Sequence, residues 1–349
     1  MKILIDGHML GAHEGGNERY AESLVKSISR LAKIGVIVSA KQSSLKGVLQ
    51  HISGRSNLMR YLWEIPSYFW QGKYDLVITT YFASPLIARR NVIIVHDMLP
   101  YRRPDFFPFR ERVQFLMLGW SIRHCAAILV PTQFVKNEIA SFYPNLVSKI
   151  FITSEAAAPI FHRMSEVDRK RLKKKHRSTI PSVLVFGSKL EKRPLKPVLV
   201  ALSNYPNKIR VYILQKPQKY RVVGYPNLQM KYLKNLSDRV LSEYYNFVDA
   251  IIYPSIYEGF GLPVIEAMKS GVPVITTKIS PIRELAKTAA YYINLDDEKS
   301  IISCLESVLN DGTKRAQKID RGYTIASKYS WSKTAKSTLA ALSVTMEKL

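Results

Sequence analysis

Short, almost wholly apolar runs punctuate the chain at regular intervals. In the first half they are KILIDG (2–7), IGVIVSA (34–40), YDLVITT (74–80), NVIIVHD (91–97), AAILVPT (126–132) and KIFITS (149–154). Runs that stay apolar on both faces, with helical stretches of about 10–20 residues between them, read as parallel strands of a sheet covered on both sides. A second series of the same design follows: PSVLVFG (181–187), KIRVYIL (208–214), NLQMKYL (227–233), DAIIYPS (249–255), VPVITTK (272–278) and AAYYINL (289–295). The pattern predicts an α/β chain of two doubly wound, Rossmann-like domains, the first over 1–160 and the second over 181–328.

Between them lies FHRMSEVDRKRLKKKHRST (161–179), charged and without apolar periodicity beyond its first residues. It reads as a basic linker over 161–180. Its Lys/Arg run suits a solvated face and a contact for phosphate or lipid headgroups equally. Ligands of doubly wound sheets bind outside the carboxyl ends of the strands, so the active site is expected in a cleft between the two domains.

Composition narrows the setting. The 349 residues are 47% hydrophobic and hold two cysteines, Cys125 and Cys304, without CxxC spacing. That excludes a disulfide framework and a zinc cluster and points to a reducing cytoplasm. The opening MKILIDG has too short an apolar run for a signal-peptide core, and no stretch reaches the roughly 18 apolar residues of a membrane span. The expectation is a cytoplasmic protein, neither secreted nor integral. With 52 Lys and Arg against 27 Asp and Glu, the net charge of +25 calls for an anionic partner. Nucleic acid, anionic lipid and phosphorylated substrates all fit that charge.

The chemistry is concentrated in AIIYPSIYEGFGLPVIEAMKSGVPVITT (250–277), which reads as strand, Gly-rich loop, short helix, Gly stop and strand. Pro263 suits a first helical turn and Gly271 a helix C-cap. The loop from Glu258 to Leu262 therefore stands just before a helix N-terminus. Small residues there are expected to leave the amides of Gly259, Phe260, Gly261 and Leu262 exposed as a cradle for phosphate, with a diphosphate as its tenant. Glu266, within the first turn or so, could accept hydrogen bonds from a vicinal diol such as a ribose presents. Each carboxylate also has a purely structural reading, Glu266 as a partner of the helix dipole and Glu258 as a loop residue.

The spacing of Glu258 and Glu266 within EGFGLPxxEAMxxGxPVI resembles glycosyltransferase family 4, the retaining, sugar-nucleotide-dependent group 1 enzymes of GT-B fold found in cell-envelope polysaccharide synthesis. The likeness runs over most of the chain. FGSKLEKRPL (186–195) is similar to the family's Gly-containing loop followed by two basic residues. The resemblance implies that Gly187, Lys192 and Arg193 hold the donor diphosphate, although Pro194 stands where many members carry Asn. LKNLSDRVLSEYYNFVDAIIYPS (233–255) resembles the family's loop, capped helix and strand, with Ser237 as N-cap; by that likeness Tyr232 and Leu233 meet the nucleotide base. GHMLGAHEGGNERYAESLVKSI (7–28) is similar to the family's Gly-Gly loop, which sets Gly15, Gly16 and Asn17 on the acceptor side. VIIVHDMLPYRRPDFF (92–107) puts His96 and Asp97 at a strand end, and the family implies that His96 touches or orients the transferred sugar. A last helix over 329–349, near Trp331, is expected to cross back to the first domain.

The implied reaction retains anomeric configuration. A nucleoside diphosphate departs from an oxocarbenium-like centre, and an acceptor hydroxyl attacks from the same face. Lys192, Arg193 and the loop amides would stabilise the leaving group, Glu258 would contact the donor sugar, and neither a metal nor another cofactor is called for. Two stretches of the first domain, RYLWEIPSYFW (60–70) and RRPDFFPFRERVQFLMLGW (102–120), mix aromatics with Arg as an anionic membrane surface or an ordinary core would require. The acceptor expected is lipid-linked or polysaccharide, with mannose from GDP-mannose or the sugar of a UDP-sugar as donor. A GT-B epimerase would need no acceptor. A nucleic-acid binder would carry a recognition motif that is missing here, so no nucleic-acid partner is expected, and a dinucleotide oxidoreductase would show GxGxxG after the first strand.

Overall fold

The computed structural model describes residues 1–10, 16–39, 41, 45–176, 179–188, 192–214, 226–234 and 236–349. The chain forms two compact units, one of residues 1–155 with 329–349 and the other of residues 156–328.

The first unit is built on a seven-stranded parallel sheet: β1 (Ile3–Asp6), β2 (Ile34–Val38), β3 (Leu49–Ile52), β4 (Leu76–Thr80), β5 (Asn91–Ile94), β6 (Ala127–Val130) and β7 (Ile150–Ile152), in the order β3-β2-β1-β4-β5-β6-β7. Strands β1, β2, β5 and β6 are buried from end to end, and β4 in all but its last residue, Thr80, as suits a parallel sheet covered on both faces. The expected run at 149–154 is present as β7. One strand is additional. β3 pairs with β2 alone, and its apolar ends, Leu49 and Ile52, stand 61% and 64% exposed around Gln50 and His51. An edge strand of that kind carries no uninterrupted apolar run, which is why periodicity passes over it.

The second unit holds a six-stranded parallel sheet: β8 (Ser182–Phe186), β9 (Ile209–Leu214), β10 (Leu228–Leu233), β11 (Ala250–Tyr253), β12 (Val274–Thr277) and β13 (Tyr291–Ile293), ordered β10-β9-β8-β11-β12-β13. All six coincide with the second apolar series. Each sheet reverses strand order once, at β1/β4 and at β8/β11, and these are the switch points where such sheets receive ligands.

The basic segment is not a linker. The division between the units falls at Glu155 and Ala156, and residues 161–175 are part of the second unit. Phe161 is fully buried edge-on to Tyr245 at 5.5 Å, and the Met164 amide donates to Asn246 Oδ1 at 2.9 Å. Ser165 caps a helix, Glu166–Lys175, two of whose cations pair outside it: Lys173 with Asp249 at 3.0 Å and Lys175 with Glu243 at 2.7 Å. The helix buries no side chain, so charge pairing takes the place of the apolar stripe that would have announced it.

The helix Trp331–Met346 lies in the first unit. Trp331 meets Tyr20 of the helix Gly16–Ile28 edge-on at 5.4 Å, and Thr334 Oγ1 donates to the carbonyl of Ser154 at 2.5 Å. Among the described residues no helix is long and apolar enough to cross a membrane.

Candidate active site

β8 and β11 are neighbours, and the loops that leave their carboxyl ends are laced together. Ile256 N donates to the Lys192 carbonyl at 2.9 Å, and Ser255 Oγ lies 3.3 Å from the same oxygen. This juxtaposition gathers two of the sequence-predicted residues around the carboxylate of a third, Glu258. Arg193 donates to Glu258 Oε1 through Nε at 2.9 Å and Nη2 at 2.7 Å, and Lys192 Nζ lies 3.5 Å from Oε2. Tyr253 and Ser255 complete the set, donating to Oε1 at 2.6 and 2.8 Å. Arg193 Nη2 also donates to the Tyr253 hydroxyl at 2.7 Å, with the guanidinium 4.7 Å from that ring's centroid.

The electrostatics follow from this packing. Burial alone would raise the pKa of Glu258, but Arg193 and then Lys192, with the Tyr253 and Ser255 hydroxyls, outweigh it and lower it to about 2. Burial would lower the pKa of Arg193, yet Glu258 and Tyr253 raise it above its ordinary value. The three ionised groups sum to +1 in a largely buried setting. Tyr253 and Ser255 were not singled out from sequence. The signal was their place at the end of an apolar strand, five and three residues before the loop carboxylate.

The loop itself differs from expectation in one respect. Gly259, Phe260 and Gly261 are buried rather than exposed, and Leu262 is half-buried. Phe260 is tucked inward, and Gly261 has φ +106°, with Ile282 Cδ1 only 2.4 Å from where a Cβ would stand. The helix Leu262–Ser270 starts immediately after it, with Pro263 in its first turn and Gly271, at φ +71°, as its left-handed C-cap. Glu266 is the fifth residue of that helix, in the second turn and not the first, so complementing the helix end is not its part. It is buried, and its Oε2 accepts from Tyr245 at 2.9 Å.

Gly187 is half-buried, one residue beyond β8. Tyr232 and Leu233 end β10, the edge strand two places from β8, with Leu233 in the core. In the first unit, Gly16 and Asn17 open the helix Gly16–Ile28, while Gly15 lies outside the described residues. His96 follows β5 at a distance of two residues, Asp97 Oδ1 accepts from the Leu99 amide at 3.1 Å, and His96 Nδ1 lies 3.0 Å from Glu155 Oε1. The His96 ring also stands edge-on to Tyr20 at 4.6 Å. Glu155 escaped the sequence reading, although an acidic residue three places beyond a strand is the kind of signal that finds such a partner. Among the described residues no three His, Cys, Asp or Glu side chains are grouped as ligands of a metal would be.

The family described as glycosyl transferases group 1 matches residues 226–324, the segment that contains Tyr232, the Glu258 loop and Glu266. The O-antigen chain mannosyltransferase RfbU of Salmonella typhimurium is 26% identical over 332 residues, covering 88% of this chain and 90% of the relative. O-antigen chain mannosyltransferase B of Escherichia coli is 24% identical over 274 residues, 74% and 72% of the two chains. Two solved structures share the fold: WaaG, a glycosyltransferase involved in lipopolysaccharide biosynthesis (TM-score 0.74, 14% identity, 98% of each chain), and Anabaena Alr3699/HepE in complex with UDP and glucose (TM-score 0.75, 17% identity, 99% and 100%). This chain is a GT-B-fold glycosyltransferase related to the group 1 glycosyltransferases, and it moves a sugar from a nucleoside-diphosphate sugar to an acceptor.

Proposed function

We propose that the chain is a retaining hexosyltransferase of cell-envelope glycan assembly. It carries mannose from GDP-mannose, or the sugar of a UDP-sugar, to a hydroxyl of a lipid-linked or polysaccharide acceptor. The observation that carries this reading is the cluster of Lys192, Arg193 and Glu258 at the β8/β11 switch point. The mannosyl assignment is supported by the two O-antigen mannosyltransferases that the chain resembles along most of its length.

As the bond to the diphosphate lengthens, negative charge grows on the leaving group and positive charge on the anomeric carbon. Arg193 and Lys192, already fixed by their shared carboxylate, meet the first without reorganising, together with the amide of Gly187. A carboxylate with a pKa of about 2 is a poor base at neutral pH. Glu258 therefore stays ionised throughout, anchors the two cations and opposes the positive charge on the sugar. Its Oε1 is taken up by Arg193, Tyr253 and Ser255. Oε2, approached by Lys192 at 3.5 Å, is the oxygen left for a donor-sugar hydroxyl. Glu266 takes the ribose, Tyr232 and Leu233 the base, and His96 orients the transferred sugar. Gly15, Gly16, Asn17 and Asp97 serve the acceptor.

The same reading sets the enzyme against an anionic membrane surface. On the helix Phe109–His124, Phe109, Val113 and Leu116 form one stripe at helical spacing and stand 79%, 48% and 73% exposed, on a chain of net charge +25.

The test is calorimetric titration with GDP, UDP, ADP and TDP and their sugar conjugates, in EDTA and at moderate salt. Selective binding of one nucleotide, followed by retained anomeric configuration in the product, is the expected result. Weak, equal and salt-sensitive binding of all four would overturn the assignment.

A further inference from the structure

The carboxyl edge of the first unit's sheet carries a buried polar cluster that donor chemistry leaves unused. Asp6, the last residue of β1, is 5% exposed. Arg60 Nε donates to its Oδ2 at 3.2 Å, and His8 Nδ1 lies 3.1 Å from its Oδ1. Burial pushes the Asp6 carboxyl up, but His8 and Arg60 together hold it below the ordinary value, so it is ionised.

Three independent features single this cluster out. Arg60 is 2% exposed, yet its Nη2 has no hydrogen-bond partner. A buried guanidinium donor left unmatched is costly, and such groups persist where a partner arrives from outside. Arg60 also opens a turn of π-helix, Arg60–Glu64, whose last residue is itself buried and accepts from Ser53. π-turns interrupt a helix at a cost and recur where function holds them in place. Finally, the cluster sits at the β1/β4 switch point, and just beyond β4 Tyr81 adopts φ +63°, a left-handed conformation that a bulky side chain seldom takes. The Tyr81 ring faces His96 at 5.9 Å.

Strands β1, β4 and β5 are adjacent, so Asp6, Tyr81 and His96 mark three neighbouring positions along one edge, spanning about 10 Å at ordinary strand spacing. Arg60 and Asp6 cancel each other's charge, while His8, with 31% of its side chain exposed, forms the open face. A phosphate would want cations left unneutralised. Acceptor oxygens and N–H donors interleaved at nearly zero net charge complement vicinal hydroxyls instead.

We propose that Asp6, His8 and Arg60 form the subsite that grips hydroxyls of the acceptor's terminal sugar, beside the position of His96, and so decide which acceptor is used. This rests on the reading above that the first unit takes the acceptor. The probes are octyl glycosides of mannose, rhamnose, galactose and N-acetylglucosamine. They are assayed with the full chain and its best-bound nucleotide sugar, alongside hydrolysis of that donor without acceptor. For the preferred glycoside, His8→Ala and Arg60→Gln should raise KM about tenfold or more, with donor KM and acceptor-free hydrolysis within about twofold of wild type. Arg60→Lys, which keeps the charge and loses the planar fork, should share the defect. Unchanged acceptor KM in His8→Ala and in a folded Arg60→Lys overturns the proposal, and so does a wild-type chain that turns over its donor yet accepts none of the four glycosides. Absence of donor binding in the wild type would instead sink the donor assignment.

Discussion

Nδ1 of His96 lies 3.0 Å from Oε1 of Glu155, the last residue of the first unit before the chain passes into the second. The contact constrains the orientation of the His96 ring just beyond the end of β5. Glu155→Gln keeps the shape and releases that constraint. It should lower kcat by about tenfold or more while leaving donor KM within about twofold, whereas His96→Ala should cost more, about a hundredfold. Steady-state kinetics on both variants decides the matter, and a wild-type kcat in Glu155→Gln would reduce the pair to a structural contact.

Arg193 and Lys192 differ in how tightly Glu258 holds them. Arg193 makes two bonds to one oxygen and a third to Tyr253, whereas Lys192 makes one contact at 3.5 Å. Removing Arg193 strands a buried carboxylate, a change that costs about 3–5 kcal/mol. Arg193→Ala should therefore lose both turnover and several degrees of melting temperature. Lys192→Ala should lose turnover with a melting temperature close to wild type. Equal melting temperatures for the two variants would contradict the geometry.

The strand pattern and the Glu258 loop were legible because both are local: a buried parallel strand must be apolar along its length, and a turn at positive φ favours glycine. What escaped the sequence depends on partners distant in the chain. β3 exposes Leu49 and Ile52, so it carries no uninterrupted apolar run. The helix Glu166–Lys175 is held by Glu243 and Asp249, about 70 residues on, so its charges read as solvent-facing. Lys192, Arg193 and Glu258 could be named as site residues, but that the cations bind the carboxylate itself follows only from the adjacency of β8 and β11. The same holds for His96 with Glu155, which lie 59 residues apart.

The depressed acidity of Glu258 makes a prediction about acid stability. Its pKa is about 2 in the folded chain against an ordinary 4.5. The stabilisation is therefore complete above about pH 4.5 and disappears as the pH falls toward 2. Glu258→Gln, which cannot titrate, should show a shallower loss of stability across that window, and its deficit at neutral pH should shrink on acidification. Urea melts at pH 7, 5, 4 and 3 provide the check, and parallel curves for the two proteins would show that another group governs the acid limb.

Gly261 and Gly271 bracket the helix Leu262–Ser270 but differ in their surroundings. At Gly261 an added Cβ would strike Ile282 at 2.4 Å with the backbone at φ +106°. At Gly271 it would meet the flexible Arg163 side chain at 3.0 Å, with φ +71°. Gly271→Ala should cost about 1–2 kcal/mol, the usual penalty of a left-handed non-glycine residue. Gly261→Ala should cost more and weaken nucleotide binding as well, since the displaced atoms carry the loop that follows Glu258. Chemical melts and calorimetry on the pair test both halves, and intact nucleotide affinity in Gly261→Ala would detach the loop from the donor.

Trp331 links stability to the site through two rings. It stands edge-on to Tyr20 at 5.4 Å, and Tyr20 stands edge-on to His96 at 4.6 Å. Trp331 is 7% exposed at the start of a helix that returns to the first unit, and the next turn is fixed by Thr334 donating to the Ser154 carbonyl, one residue before Glu155. Trp331→Ala should cost about 3–5 kcal/mol, the range for a buried Trp or Phe cut back to Ala. Because the gap opens behind Tyr20, kcat should fall as well, even at temperatures where the protein remains folded. Trp331→Phe retains an edge for Tyr20 and should restore most of the rate before it restores all of the stability. A Trp331→Ala protein that melts early but turns over at the wild-type rate would show that the aromatic chain supports the fold without positioning His96.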